Sequence, residues 1–457
     1  MTDLKKDVEE VFEAPAKALD EVVKASRREE RAFFSKKPLK MAEKYWTTLG
    51  PGLTTGAADD DPSGIAAYSQ AGAKYGLGLI WTTLFTFPFM AVVQEMCARI
   101  GIVSGEGLAA NIRKHYPAAA LYAAAGLLFF ANTFNIAADL GAMAAATRLL
   151  TPETSIGVLV VFFAVVSLGL QIFTTYAHYA KYLKYLTLGL LSYVVAAFMV
   201  NLDWGDVLRH TFIPSLTFSR DQLILFAAVL GTTISPYLFF WQTSQEVEEN
   251  ILHGEHTIHQ RRENSNRRSI HQMRVDVWSG MFFSNLVAFF IFAACAGTLY
   301  AHGITSIETA DQAALALKPF GEAAYLLFAL GIIGTGLLSV PVLAGASAYA
   351  LSESFGWVYG LYHKLHQAYA FYGVIIVSML LGIIANFAHL DPIKGLIYAA
   401  VANGVVAPVI LFFVVRLSGN KRLMGEYANR PFTALLGWIT VIVMALSGAA
   451  AIYSIWF

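Results

Sequence analysis

The stretch Asp59-Asp60-Asp61-Pro62-Ser63-Gly64 constrains the fold of this chain more than any other part of the sequence. It interrupts an apolar segment that runs from Trp46 to Ala73. Three carboxylates inside a continuous membrane helix would be very unfavourable, and the neighbouring proline and glycine weaken helical hydrogen bonding. The stretch therefore predicts a membrane helix broken into two halves around a polar gap. The alternative is an aqueous loop or a re-entrant hairpin in which the acids are solvated.

The composition indicates an integral membrane protein. The chain has 457 residues, of which 56% are hydrophobic and 14% charged, whereas soluble proteins carry about 25% charged residues. Its length makes it polytopic, so the lipid bilayer is its expected surrounding. The formal net charge of zero gives no reason to expect a nucleic-acid partner. Cys97 and Cys295 lie in apolar segments and are interpreted as small core residues rather than a disulfide.

The hydrophobic segments predict an all-α membrane protein with eleven spans and a second broken helix. The sixth span is interrupted by Gly231-Thr232-Thr233-Ile234-Ser235-Pro236-Tyr237. Breaks in the first and sixth spans are typical of an inverted 5+5 helix repeat, with the site where the breaks meet and the eleventh helix outside the repeat. The predicted spans are 46–73, 77–100, 118–149, 155–175, 183–202, 223–249, 275–300, 323–354, 371–387, 393–416 and 432–456.

These spans divide the chain into three regions with a defined orientation. Residues 1–44 are interpreted as a charged cytoplasmic segment, and residues 45–416 as a core of ten helices with repeats at about 45–202 and 223–416. Residues 417–457 form a loop and the eleventh helix. With the N-terminus inside the cell, 26 of the 32 Lys and Arg residues lie on the cytoplasmic side. The bias predicts a multi-pass cell-membrane protein with a cytoplasmic N-terminus and an external C-terminus.

Several motifs resemble the Nramp divalent-metal transporters. Gly50-Pro51-Gly52 and Asp61-Pro62-Ser63-Gly64 resemble the first helix of that family, whose motif is Asp-Pro-Gly-Asn. The segment 99–117 resembles the loop after its second helix, Asp139-Leu140 a position in its third, and 231–237 its sixth-helix Gly-Ala-Thr-Val-Met-Pro-His. The resemblance implies the inverted-repeat fold of the leucine-transporter type and transport of a divalent cation by alternating access.

The departures from the family motif bear on the transported ion. Asp61 is retained, whereas Gly64 replaces the motif Asn, Ser235 the Met and Tyr237 the His. The resemblance implies that the Met thioether favours manganese, iron and cadmium over magnesium and calcium. A site with oxygen ligands alone suits hard ions. The sequence therefore predicts transport of Mg²⁺, with Mn²⁺ as a second substrate, similar to the Nramp-related magnesium transporters.

The candidate site residues fall into two groups. The residues expected to line the metal site are Asp61, Ser235, Thr232, Tyr237, Asp60, Gly64 and Gln242. Those expected further from the ion are Ser63, Asp59, Asn403 and Asp139. For Gln242 and Asn403 the alternative is an amide that packs between helices. The divalent ion is the transported substrate, and no cofactor is expected.

The sequence also predicts that transport is not coupled to protons. The resemblance implies a relay of third-helix acids and ninth-helix arginines. Asp139 fits one acid, but Asn132 and Ala142 stand where the family has others, and the ninth span contains no Arg or Lys. The alternatives are a proton-coupled Mn²⁺/Fe²⁺ importer of ordinary Nramp type and a channel-like conductance. No Ser/His/Asp set or nucleotide-binding glycine pattern indicates an enzyme.

Overall fold

The computed structural model describes residues 50–174, 190–388 and 391–456, and within these ranges the regular structure is helical. The predicted segment 1–44 lies outside the described residues. The α-helices, numbered in chain order, are α1 Pro51–Asp59, α2 Pro62–Tyr75, α3 Trp81–Ser104, α4 Leu108–His115, α5 Ala118–Leu150, α6 Ile156–Phe173, α7 Leu191–Met199, α8 Trp204–Phe212, α9 Arg220–Thr233, α10 Pro236–Leu252, α11 Ile258–Asn264, α12 Arg267–Thr298, α13 Ala310–Ala314, α14 Ala323–Phe355, α15 Tyr369–Phe387, α16 Pro392–Ser418, α17 Lys421–Met424 and α18 Pro431–Trp456.

Nine segments of the described chain are long and apolar enough to cross a membrane. They are α3, α5, α6, the α9–α10 pair, α12, α14, α15, α16 and α18. The halves α1 and α2 together form the predicted first span, and α7 is the described end of the predicted fifth. Helix α12 begins eight residues before its predicted apolar start, because Asn266 caps a polar extension of the helix.

Both predicted helix breaks are present. Helix α1 ends at Asp59 and α2 begins at Pro62, while α9 ends at Thr233 and α10 begins at Pro236. Helix α1 packs against α10, and α2 packs against α9. The two broken spans therefore run in opposite directions past each other, as an inverted repeat requires, and their breaks lie side by side. Helix α12 packs along both α1 and α2, and α5 packs against α14 and α16.

Helix α1 is held in place by contacts between small residues and by one acid that is distant in sequence. A Cβ atom at Gly56 would overlap the backbone of Gly280, so the absence of side chains lets α1 and α12 touch closely. The carboxylate of Asp276 on α12 accepts hydrogen bonds from the backbone N–H groups of Gly52 at 2.7 Å and Gly50 at 3.2 Å. These bonds satisfy donors that a helix start leaves free. Helix α12 thus fixes where α1 begins and which face of α1 packs against it.

Candidate functional site

Asp61 lies at the centre of the first break and is held by donors from three helices. It caps α2, accepting hydrogen bonds from the backbone N–H of Gly64 and the hydroxyl of Ser63, each at 2.7 Å. The amide of Asn135 on α5 donates to its other oxygen at 3.0 Å, and Thr232 Oγ1 on α9 lies 3.5 Å away. Only 1% of Asp61 is exposed. The positive end of α2 and these donors offset part of the cost of burying this carboxylate.

The neighbouring carboxylates, Asp59 and Asp60, have far fewer donors. The hydroxyl of Ser284 on α12 lies 2.8 Å from Asp59 Oδ2 and 3.1 Å from Asp60 Oδ1. One hydroxyl hydrogen serves both carboxylates, and Asp59 Oδ1 has no partner among the described residues. The pair also sits at the negative end of α1. This end of the break therefore holds two buried carboxyl groups that share one hydroxyl donor, an arrangement that a bound cation would stabilise.

The hydroxyl groups of the second break hold backbone carbonyls that the interrupted helices leave free. Ser235 Oγ donates to the carbonyl of Thr232 at 2.6 Å and lies 3.1 Å from that of Gly231. The Tyr237 hydroxyl donates to the carbonyl of Ala58 at 3.1 Å, linking α10 to the end of α1. Each hydroxyl oxygen still has lone pairs to offer. The hydroxyl groups of Ser235 and Tyr237 thus stabilise the breaks, and their oxygen atoms can still accept a hydrogen bond or coordinate a metal ion.

Gly64 lies directly against the second broken helix. A Cβ atom at Gly64 would lie 2.9 Å from Thr232 Oγ1. The space is occupied by that threonine rather than open. The missing side chain instead lets α2 and α9 approach, which brings Thr232 next to Asp61.

Gln242 and Asp139 are hydrogen-bonded to side chains other than Asp61. Gln242 Nε2 donates to Glu246 Oε1 at 2.8 Å, one turn further along α10. Asp139 Oδ2 accepts a bond from Ser339 on α14 at 3.1 Å. The structure therefore brings Asp61, Ser63, Gly64 and Thr232 together, and it directs Gln242 towards the far end of α10.

Asn403 lies on α16 with neither amide atom bonded to another described residue, although the side chain is fully buried. It follows Leu396 by two helical turns, so both residues lie on one face of α16. Leu396 lines a small apolar cavity with Ile65 and Ser69 of α2. Asn403 thus lies on the face of α16 that is turned towards α2, which begins at the first break.

Two residues of this site were not among the sequence predictions, Asn135 and Ser284. Asn135 precedes Asp139 by one turn of α5, so the two share a helix face and the spacing was an available signal. Ser284 is followed by Asn285 in an otherwise apolar span, and a serine there carries no such signal. In the ranges that the structure describes, no group of three or more His, Cys, Asp or Glu side chains is arranged as metal ligands. An ion at Asp61 would depend on hydroxyl, amide and carbonyl oxygens.

Paired broken helices that cross in opposite directions define a broken-helix membrane transporter fold. Solved structures agree with this class. A manganese transporter of Eremococcus coleocola superposes with a TM-score of 0.72 at 16% identity, covering 93% of this chain and 90% of the other. Mhp1, a nucleobase-cation-symport-1 family transporter, superposes with a TM-score of 0.51 at 16% identity, covering 89% and 91%. The predicted all-α fold of the leucine-transporter type is confirmed.

The sequence comparison identifies the family. Residues 52–454 match the family "Natural resistance-associated macrophage protein-like", or Nramp, and the chain belongs to that family. The divalent metal cation transporter MntH of Erwinia tasmaniensis is 27% identical over 436 residues, covering 93% of this chain and 97% of that protein. MntH of Aeromonas hydrophila is 28% identical over 409 residues, covering 87% and 93%.

Proposed function

We propose that this protein transports divalent metal cations across the membrane by alternating access around its two broken helices. One observation carries the proposal. Asp61, a buried carboxylate, lies where two oppositely directed helix breaks meet. The chain that carries it is similar in sequence to the MntH divalent metal cation transporters. Around it are hydroxyl and carbonyl oxygens that suit a hard divalent ion. The metal is the transported substrate, and we propose neither a resident cofactor nor an enzymatic reaction.

Mn²⁺ is the first metal to test, because the comparisons favour the manganese alternative over the Mg²⁺ preference expected from the sequence. The similar structure is named as a manganese transporter, and the related sequences are named for divalent metal cations. Mg²⁺ is a second candidate on one structural observation. The hydrogen-bond partners of Asp61 are nitrogen and oxygen atoms, and Ser235 provides no sulfur at the second break. Such a site discriminates poorly against Mg²⁺.

We also propose uptake without proton coupling, by a cell-membrane protein with its N-terminus inside and its C-terminus outside. Asn132, at a position where the family resemblance implies an acid, donates to the Leu343 carbonyl and to Ser347 Oγ, each at 3.0 Å. It thus acts as a neutral tie between α5 and α14. Helix α15 contains no Arg, Lys, Asp, Glu or His. The division into a segment 1–44, a ten-helix core 45–416 and a final helix stays part of this proposal.

The test is metal uptake by purified protein in liposomes. The variant Asp61→Ser removes the charge but keeps an oxygen that can cap α2. We expect saturable Mn²⁺ uptake by the wild type and a loss of at least about a hundredfold in the variant, since a carboxylate–metal contact has no neutral equivalent here. The control is Asp311→Ser, an exposed aspartate on the short helix α13. Wild-type rates in Asp61→Ser would refute the assignment, and a linear, non-saturable flux would indicate a channel.

Competition identifies the preferred ion. Mg²⁺ at millimolar concentration should reduce Mn²⁺ uptake if the metal ligands at the Asp61 site are oxygen atoms alone. Cd²⁺ should compete weakly, because a soft ion gains little from oxygen ligands. Strong inhibition by Cd²⁺ without any effect of Mg²⁺ would support the ordinary manganese and iron importer and reject the Mg²⁺ candidate.

A further inference from the structure

One face of α10 carries a polar stripe that the helix breaks do not use. Gln242, Glu246 and Glu249 follow each other at spacings of four and three residues, so they lie on the same side of the helix. At a rise of 1.5 Å per residue, Gln242 lies about 9 Å and Glu246 about 15 Å from Pro236, where α10 begins. The stripe leads away from Asp61 towards the end of α10 that we predict to be cytoplasmic.

Helices α1 and α3 pack against α10 beside this stripe, and α12 contributes a charged neighbour. The Thr243 hydroxyl donates to the Cys97 carbonyl at 3.1 Å, and the side chain of Glu246 packs against Gly101 where α3 has no Cβ. Helix α1 packs on α10. Asp276 of α12, which binds the start of α1, is a charged neighbour of both glutamates. Only 6% of Glu246 is exposed, and Glu249 is half-buried.

Within the described part of the chain, no ion pair neutralises this group, although His253 lies near Glu249. Glu246, Glu249 and Asp276 form no ion pair with any residue that the structure describes. Asp276 is stabilised by the backbone N–H groups of α1, whereas the one hydrogen bond described for Glu246 comes from Gln242. The last turn of α10, which contains Glu249, adds further negative potential. A buried carboxylate with one neutral donor is unfavourable unless it takes up a proton or a cation joins it.

A second observation points to a ligand independently of the acids. Gln242 is fully buried, and its Nε2 is committed to Glu246, but its Oε1 has no partner among the described residues. Because the amide nitrogen faces Glu246, the free oxygen lies beside the same carboxylate. A buried amide oxygen without a donor is itself unfavourable. Metal-bound water would satisfy this oxygen and the carboxylate together, since it donates two hydrogen bonds.

We propose a second cation subsite at Gln242 Oε1 and Glu246, which takes a hydrated divalent ion between Asp61 and the end of α10 at Glu249. It rests on the proposed function, and it assigns Gln242 to this subsite rather than to the ion at Asp61. The ion keeps its waters because two side chains cannot replace a complete coordination shell. The subsite acts on release of the ion, after it has left the helix breaks.

The test measures Mn²⁺ binding rather than transport. In the triple variant Asp59→Asn, Asp60→Asn, Asp61→Ser, the breaks carry no carboxylate, and free Mn²⁺ is followed by electron paramagnetic resonance in detergent. We expect this variant to retain one weaker Mn²⁺ site, and addition of Glu246→Gln or Gln242→Leu to weaken it by at least tenfold. The control is Glu263→Gln in the same background, an exposed glutamate on α11. No binding by the triple variant, or equal binding after Glu246→Gln, would overturn the proposal.

Diffraction gives a second test if the triple variant does not fold. Crystals of the wild type grown with Mn²⁺ should show an anomalous peak near Gln242 and Glu246 that is missing in Glu246→Gln, and absence of the peak from both would overturn the subsite. Because neither readout requires transport, failure of wild-type liposomes to take up metal would reject the proposed function alone. Absence of the second Mn²⁺ site from the wild type, together with normal uptake, would reject the subsite alone.

Discussion

Asn135 is the residue whose contribution to the Asp61 site is most directly testable. Its amide donates to Asp61 Oδ2, and its own Oδ1 has no partner among the described residues, so it orients the carboxylate and has an oxygen to spare. A hydrogen bond to a charged group contributes about 1.5–3 kcal/mol. We expect Asn135→Leu to raise the KM for Mn²⁺ uptake by about tenfold, since about 1.4 kcal/mol corresponds to that factor.

The matched control for this variant is Asn386→Leu. The Asn386 amide also donates to α5, at the Ala137 carbonyl, over 2.7 Å, but it does not contact Asp61. If both variants raise the KM equally, Asn135 acts through the packing of α5 rather than through the carboxylate.

Ser235 tests whether sulfur at the second break determines selectivity. We expect Ser235→Met to make Mn²⁺ uptake sensitive to Cd²⁺, because a thioether is a soft ligand that attracts soft ions. The larger side chain in a buried position should also lower stability, by about 1–3 kcal/mol. Ser235→Leu is the control, since it has a similar volume without sulfur. Equal Cd²⁺ inhibition in the two variants would show that size, and not sulfur, changes the selectivity.

At the residue scale, the sequence predicted the site best where the position of a side chain depends on residues close to it in sequence. Asp61 caps the helix that Pro62 starts, so its position follows from neighbours within three residues. Asn135 and Ser284 reach the break from other helices, and their contacts depend on how α5 and α12 pack. The side-chain conformation of Gln242 likewise depends on a neighbour outside the break, because its amide donates to Glu246.

At the scale of the elements, close contact between α1 and α12 should be essential for a stable core. Gly56→Ala places a methyl group against the backbone of Gly280, where no flexible side chain can move aside. We expect lower thermal stability in detergent and reduced uptake, because the two helices must separate. Gly126→Ala is the matched control, since nothing lies within 4 Å of its added Cβ. That variant should be neutral or slightly stabilised. Similar losses in both variants would show that helix propensity, rather than contact, is responsible.

The breaks themselves were predictable because they combine local signals. A proline preceded by polar residues favours the end of one helix and the start of another, and both α2 and α10 begin at a proline. The full lengths of helices were less predictable. Helix α12 continues beyond its apolar core into a charged turn, where a capping box at Asn266 and not hydropathy sets the boundary.

At the scale of the whole molecule, the order of the spans predicted the architecture. Two broken helices five spans apart imply a symmetric pair of repeats, and the pairing of α1 with α10 and of α2 with α9 is what such a pair requires. Selectivity does not follow in the same way. The fold is shared with proteins of other substrates, such as the nucleobase-cation-symport-1 transporter, so the substrate depends on a few side chains at the breaks.

The driving force of transport is a property of the complete molecule, and the absence of Arg, Lys, Asp, Glu and His from α15 bears on it. A divalent ion gains about 4.6 kcal/mol per 100 mV of membrane potential, which is sufficient to drive uptake without a proton. In liposomes with a potassium diffusion potential, we expect Mn²⁺ uptake to rise with inside-negative potential while an internal pH dye stays constant. Acidification in proportion to Mn²⁺ entry would establish proton coupling instead. In that case Asp139, buried and bonded to Ser339, would be the acid to substitute first, because Asn132 cannot carry a proton.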